Sequence, residues 1–147
     1  MKLTFGKHKG KCVETVILKE PEYALWILNK EDASEPLAHI RKEVRRLIKV
    51  FDSKPFTIQC YGCHRRKATQ FSLANPSPFA YWWCDECNPR SEGCDGPMSV
   101  GRTYKEAMQY AQLCLRKDHT KGLIRNLAEG KGLPKRVGDR QAEEFFR

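Results

Sequence analysis

Four cysteines stand in two pairs, Cys60-Tyr-Gly-Cys63 and Cys84-Asp-Glu-Cys87, separated by the twenty residues 64–83. A C-x-x-C turn aims two sulfurs inward from a tight backbone knuckle, and Gly62 eases the turn. Two such knuckles facing each other supply the four thiolates that a tetrahedral zinc takes at about 2.3 Å. With four protein ligands no coordination position stays open, so the expected Zn²⁺, one ion, is structural and activates no water. A pair of redox dithiols is the competing reading, but a redox motif has no need of a second copy at this distance.

The residues between the knuckles must position them. Ala68–Leu73 and Phe79–Trp83 are rich in β-formers, and Asn75-Pro-Ser-Pro78 between them has turn chemistry. Knuckle, strand, turn, strand, knuckle is the layout of a zinc ribbon. A ribbon this small buries too little apolar surface to fold alone, so metal binding is expected to supply much of its folding free energy.

The 147 residues are 40% hydrophobic, which excludes wholesale disorder and leaves no room for a large enzyme core. No apolar run can span a bilayer, and the N-terminal residues lack a secretory apolar stretch, so no membrane partner is expected. Seven cysteines, four of them committed to metal, point to a reducing, cytoplasmic compartment. The formal charge is +9, or about +7 once four thiolates hold one Zn²⁺. Residues 1–54 carry 12 Lys/Arg against 8 Asp/Glu, residues 55–100 carry 4 against 4, and residues 101–147 carry 11 against 6. Basic flanks around a neutral centre suit a polyanionic partner, most simply nucleic acid, although plain solubility charge gives the same composition.

Those three segments are the expected modules: 1–54, a ribbon at 55–100, and a helical segment at 101–147. In the first, Gly6 and Gly10 bracket Lys7, His8 and Lys9, giving a sharp turn between expected strands Leu3–Phe5 and Cys12–Val16. Cationic side chains on such a turn, with exposed backbone amides, make a compact anion-binding surface. Glu20-Pro21 starts a helix whose apolar side carries Tyr23, Leu25, Trp26, Ile27 and Leu28. Ser34-Glu35-Pro36 starts another, with Leu37, Ile40, Val44, Leu47, Ile48 and Phe51 in steps of three and four. Its other face carries Arg41, Lys42, Arg45, Arg46 and Lys49, either a solvated face or a phosphate-contacting one.

Thr4-Phe-Gly-Lys-His-Lys-Gly-Lys11, followed by Glu22-Tyr-Ala-Leu-Trp26 and a Leu/Ile-rich helix, resembles the small accessory domain appended to exodeoxyribonuclease X. That domain also occurs in short stand-alone bacterial and phage proteins. The resemblance covers about residues 1–50 and departs at Cys12 and in the longer approach Val13–Lys19. It implies an accessory role in nucleic-acid processing, DNA ahead of RNA, and carries no exonuclease activity with it.

In the last segment Thr103-Tyr-Lys-Glu106 reads as a capping box, with Tyr104, Met108, Ala111 and Leu115 as the stripe of the helix it opens. A shorter helix is expected from about Thr120 to Glu129. Leu133–Gly138 reads as a basic extended stretch, and Asp139 as the cap of a terminal helix whose Phe145 and Phe146 dock on the body.

Nothing else has the pattern of catalysis. His64, hard against Cys63, is a spare donor beside a complete ligand set; Cys94 is a spare ligand or a surface thiol; Cys114 and His119 stand at helical spacing beside an apolar stripe. No carboxylate pair, His-Glu-x-x-His or nucleophile elbow is present. A finger-type nuclease needs a histidine base and further metal ligands on a ββα hairpin, and only His64 is in place. The chain therefore reads as a mixed α+β protein: a small β-hairpin and helix module, a central zinc ribbon and C-terminal helices. Its expected function is non-catalytic nucleic-acid binding, to DNA, single strands or RNA. The expected contacts are Lys7, Lys9 and Lys11 in the loop, Arg41, Arg45 and Lys49 on the helix, Arg65, Arg66 and Lys67 after the first knuckle, and Trp82 as a stacking residue. The rival is a phage-type protein-binding adaptor or inhibitor of a host nucleic-acid enzyme.

Overall fold

A computed structural model describes residues 1–30, 34–73, 79–87, 100–114 and 119–147. The elements run α1 (Val13–Lys19), α2 (Pro21–Asn29), α3 (Glu35–Ser53), β1 (Gln70–Leu73), β2 (Ala80–Trp83), α4 (Tyr104–Cys114), α5 (His119–Gly130) and α6 (Asp139–Phe145). The mixture of helices and one two-stranded antiparallel sheet is the α+β class expected from the sequence.

The N-terminal turn closes through backbone bonds, Leu3 N–H to Lys11 O at 2.9 Å and Gly10 N–H to Leu3 O at 2.8 Å. Gly6 and Gly10 sit at φ +77° and +87°, a region that an L side chain enters only with strain. The expected strand Cys12–Val16 is corrected: Lys2 and Cys12 form only an isolated bridge, and Val13 already begins α1. Its β-branched residues favour a strand in isolation, but every residue from Val13 to Leu18 is buried. A helix at the centre, packed on α2, α3, α5 and α6, hides that all-round apolar surface better than an edge strand would.

Pro21 opens α2 as expected; of its expected apolar side Ile27 is buried, together with Ala24, and Tyr23, Leu25 and Leu28 pack half-buried against the core. Trp26 stays exposed, stacked on Tyr23 at 5.3 Å with Lys30 Nζ 5.1 Å over its ring. Helix α3 buries Leu37, Ile40, Val44, Leu47, Ile48 and Phe51, the six positions its periodicity selects. Its C-terminal carbonyls are taken up by a buried lysine: Lys131 Nζ donates to Phe51 O at 2.6 Å and Lys54 O at 3.0 Å. Burial brings that ammonium down to about 8, and the rings of Phe51 and Phe56 lie 4.6 and 4.7 Å from it.

Half of the capping box forms: Thr103 Oγ1 accepts from Glu106 N–H at 3.1 Å, while the Glu106 carboxylate accepts from the Thr103 hydroxyl at 3.1 Å and from Arg102 N–H at 3.4 Å. Asp52, near the end of α3, accepts from Tyr104 N–H at 2.8 Å and so caps α4 as well. Tyr104, Met108 and Ala111 are buried, and Leu115 lies outside the described residues. Asp139 does not cap α6; it accepts from Thr15 Oγ1 at 2.5 Å, and the cap falls on Gly138, whose N–H donates to Gln141 Oε1 at 3.0 Å. Phe145 and Phe146 dock on the body, Phe145 6.0 Å from the Phe51 ring.

Strand register pairs Gln70 with Trp83, Phe71 with Trp82, Ser72 with Tyr81 and Leu73 with Ala80. The Asn75–Pro78 turn lies outside the described residues. Phe71 and Trp82 point inward, Trp82 resting 4.8 Å from the Phe56 ring. A continuous apolar cluster runs from Leu3 and α1 through α3 and the hairpin to α4, α5 and α6, drawing on all three sequence segments.

Candidate metal centre and basic surface

The first knuckle is built by a short reversal. Gln59 and Lys67 bridge, Cys60 N–H donates to Arg66 O at 2.8 Å, and His64 N–H donates to Cys60 O at 3.0 Å. Tyr61 N–H then donates to Trp82 O at 2.8 Å, tying the knuckle to β2. The second knuckle follows directly from the end of β2, where Gln70 Nε2 donates to Cys84 O at 3.0 Å. The hairpin thus brings the two cysteine pairs together: the sulfurs of Cys60, Cys63, Cys84 and Cys87 all lie within 4.8 Å of one another. A tetrahedron with metal–sulfur bonds of about 2.3 Å has sulfur–sulfur edges of about 3.8 Å, so the cage fits an ion of that kind after small contraction. Cys60 and Cys84 form its buried floor and Cys63 and Cys87 its half-exposed rim.

The surrounding backbone favours thiolates. Gly62 N–H points at Cys60 Sγ, 3.3 Å away. Burial opposes ionisation of Cys60, but donors from Cys63, Cys84 and Gly62 outweigh it and hold the thiol below its ordinary range. The Arg66 and Arg65 amides bring Cys63 down to about 6. Desolvation and the neighbouring sulfurs push Cys87 up to about 12. Four adjacent thiolates therefore repel one another, and a divalent cation is what allows all four to ionise.

His64 has φ +55°, a left-handed conformation in a residue with a side chain. The turn after the second cysteine requires it, and no sequence signal marked this position, where glycine would be the relaxed choice. Replacing His64→Gly should leave the stability measured by urea unfolding unchanged or raise it by up to about 1 kcal/mol. His64→Val should instead lower it by about 1–2 kcal/mol, because a β-branched residue resists this region. Equal effects of the two would sink the strain argument.

A second grouping, Cys12, Glu14 and Glu143, has a different character. The Cys12 thiol lies 2.6 Å from Glu14 Oε2 and 3.4 Å from Glu143 Oε1. Burial and then the Glu14 carboxylate push that thiol up to about 12, so it remains a protonated donor.

The cations expected from sequence divide into free and committed. Lys7, Lys9 and Lys11 are exposed around the N-terminal turn, but His8 is not one of them. His8 is 8% exposed, edge-on to Tyr23 at 4.6 Å, and burial followed by the nearby Lys11 holds its pKa down, so it is neutral at pH 7. On α3, Lys42, Arg45 and Lys49 are exposed and line a groove of about 460 Å³ with His39, Arg46 and Glu43. Arg46 is paired with Glu43 at 2.6 Å. Arg41 lies on the same side of α3, one turn before Arg45, but its guanidinium is already engaged within the fold rather than left for a phosphate: it donates to Ile27 O at 3.1 Å and to Lys30 O, closing the C-terminal carbonyls of α2. Arg66 pairs with Glu86 across the two knuckles. Lys67 donates to Thr57 O at 3.0 Å with its residue exposed, and Arg65 is exposed beside it.

Trp82 is also corrected. It is 1% exposed, wedged between Phe56 and α5, and has no ring face to offer a base. Side chains alternate along β2, and the solvent side carries Tyr81, 43% exposed, while Phe79 just before the strand is 67% exposed. Tyr61, within the first knuckle and 45% exposed, joins them; the sequence reading passed over it because it treated the knuckle only as a metal holder.

Comparison with protein families, with curated proteins and with solved structures finds no match to this chain. Fold and site together define a small α+β protein with a four-cysteine cluster placed to hold a metal ion. No helix among the described residues is long and apolar enough to cross a membrane.

Proposed function

We propose that this chain is a non-catalytic, cytoplasmic zinc protein that binds nucleic acid, DNA ahead of RNA, mainly through its phosphates. The observation that carries the reading is the set of exposed cations that form no ion pair among the described residues. Lys42, Arg45 and Lys49 share one helix face, Lys7, Lys9 and Lys11 one turn, and Arg65 and Lys67 one knuckle. A net charge of +9 gathered into such clusters attracts a polyanion more strongly than the same charge scattered. The α3 face, exposed along a single helix, is the better phosphate track, while the N-terminal turn offers a compact anion contact.

Fluorescence anisotropy of zinc-loaded protein with duplex DNA at several salt concentrations tests this. The expected log–log slope falls by about 0.9 for each phosphate neutralised. Lys42→Ala/Arg45→Ala/Lys49→Ala should weaken binding across sequences and flatten that slope by about 2 to 3. Absence of binding to any nucleic acid even at low salt overturns the reading. Metal-dependent cleavage abolished by His64→Ala would favour a nuclease instead.

A further inference from the structure

We infer that the N-terminal turn is a proton-operated latch: protonated His8 leaves its seat against Tyr23, and the turn that carries Lys7, Lys9 and Lys11 opens. The latch belongs to the chain alone and does not depend on the nucleic-acid reading. His8 stands in the middle of the reversal, and backbone bonds close the chain around it. Lys11 N–H donates to His8 O at 3.0 Å, Lys9 N–H to Gly6 O at 3.1 Å and Gly10 N–H to Leu3 O at 2.8 Å. The imidazole is buried, edge-on to the Tyr23 ring at 4.6 Å, and Tyr23 stacks in turn on Trp26 at 5.3 Å. Gly6 fits closely against the same tyrosine, since a Cβ built on it would collide with the Tyr23 hydroxyl.

Both ring nitrogens of His8 are buried, and neither has a hydrogen-bond partner among the described residues; the same holds for the Tyr23 hydroxyl. A neutral imidazole occupies that seat as a packed ring. An imidazolium brings two N–H donors and a charge to a buried place with no acceptor, which is costly. The charged groups around it add to the cost. Lys7 and Lys11 belong to the turn itself and Lys121 comes from α5. Glu20, just before α2, is the one acid among them, and Lys121 holds it at 3.0 Å. Burial first, and Lys11 next, keep His8 below its ordinary value of 6.5. The folded chain therefore takes up this proton less readily than the unfolded chain. The closed turn is fully favoured above about 6.5 and loses that advantage as pH falls below it. Once released, the imidazolium is solvated, and the backbone bonds of the turn lose the side chain that anchors them.

NMR of the zinc-loaded full chain between about pH 7.5 and about pH 5.5, with zinc in excess, tests the latch. The His8 ring should titrate below about 6.5. As it does, hydrogen-exchange protection of the Leu3, Gly10 and Lys11 amides should fall about threefold or more relative to the amides of α3. His8→Phe should keep the turn protected across the range, since it fills the seat with a ring that takes up no proton. It should also leave the melting temperature at neutral pH unchanged, because neither nitrogen makes a bond to lose. His8→Lys places a permanent charge there and should leave the turn unprotected already at neutral pH, with the α3 amides still protected. A pH response that survives in His8→Phe overturns the latch and assigns the loss to another group, the cysteine cage included. Protection that stays constant while His8 titrates overturns it too, as does a His8 ring that titrates at or above about 6.5. Should His8→Lys fail to fold, the comparison of His8→Phe with the wild type decides alone.

Discussion

Stripping metal from the protein with a chelator should lower its melting temperature sharply and remove the order of the two knuckles while α1–α3 persist longest. One equivalent of Zn²⁺ should restore the transition. The ion at a thousand times its dissociation constant stabilises the folded chain by about 4 kcal/mol, a large share of a total stability of about 5–15 kcal/mol. The effect concentrates at the knuckles because Cys60 and Cys84 form the floor of the cage and have no water to solvate them. Without a cation, four sulfurs within 4.8 Å must share protons or repel. Cys84→Ser should therefore cost about as much as chelation, since three thiolates and a weak hydroxyl bind zinc poorly. Because the ligands bind as thiolates, uptake at neutral pH releases protons, and affinity falls as pH is lowered. Circular dichroism melts with and without chelator, alongside metal analysis, check these points. Unchanged melting on chelation of a fully stripped sample would remove zinc from the account.

How far the fold was readable follows from where local pattern and tertiary burial agree. Helix α3 is amphipathic over its whole length, so its six apolar positions alone place its buried face. The two C-x-x-C pairs flank a hairpin, and its closure brings their four sulfurs together. The failures have the opposite character. Helix α1 is buried on every side, which leaves no periodicity to separate a central helix from a strand, and its valines and isoleucine tip the local preference the wrong way. Arg41 shows a further limit. Its position on α3 suggests a free cation, but only the arrival of α2's C-terminal carbonyls beside it determines that it is a cap. His64's left-handed backbone leaves no mark in composition at all.

Trp82, expected from the sequence to stack on a base, lies instead on the buried face of β2, and it yields the second large effect. Trp82→Ala should destabilise the zinc-loaded protein by about 3–5 kcal/mol, the cost of emptying a large aromatic site in a packed core. The indole is the joint between the cysteine-bearing hairpin and the helices: it touches Phe56, and a Cβ built on Gly130 would lie 2.8 Å from its ring. Gly130 is held small by that ring, so Gly130→Ala in the wild type should be destabilising by about 1–3 kcal/mol through overpacking. With the indole removed the same methyl has room, and Gly130→Ala in the Trp82→Ala background should cost far less. The double-mutant cycle should show coupling of about 1 kcal/mol or more, and strict additivity would mean the two positions are not in contact. Urea midpoints of the four proteins, all zinc-loaded, measure it. Nucleic-acid affinity supplies the contrast: at temperatures where Trp82→Ala remains folded, binding should match the wild type, because the ring faces solvent nowhere. If Trp82→Ala lost binding while still folded, the inward and outward faces of β2 would have exchanged roles, and the indole would be the stacking residue after all.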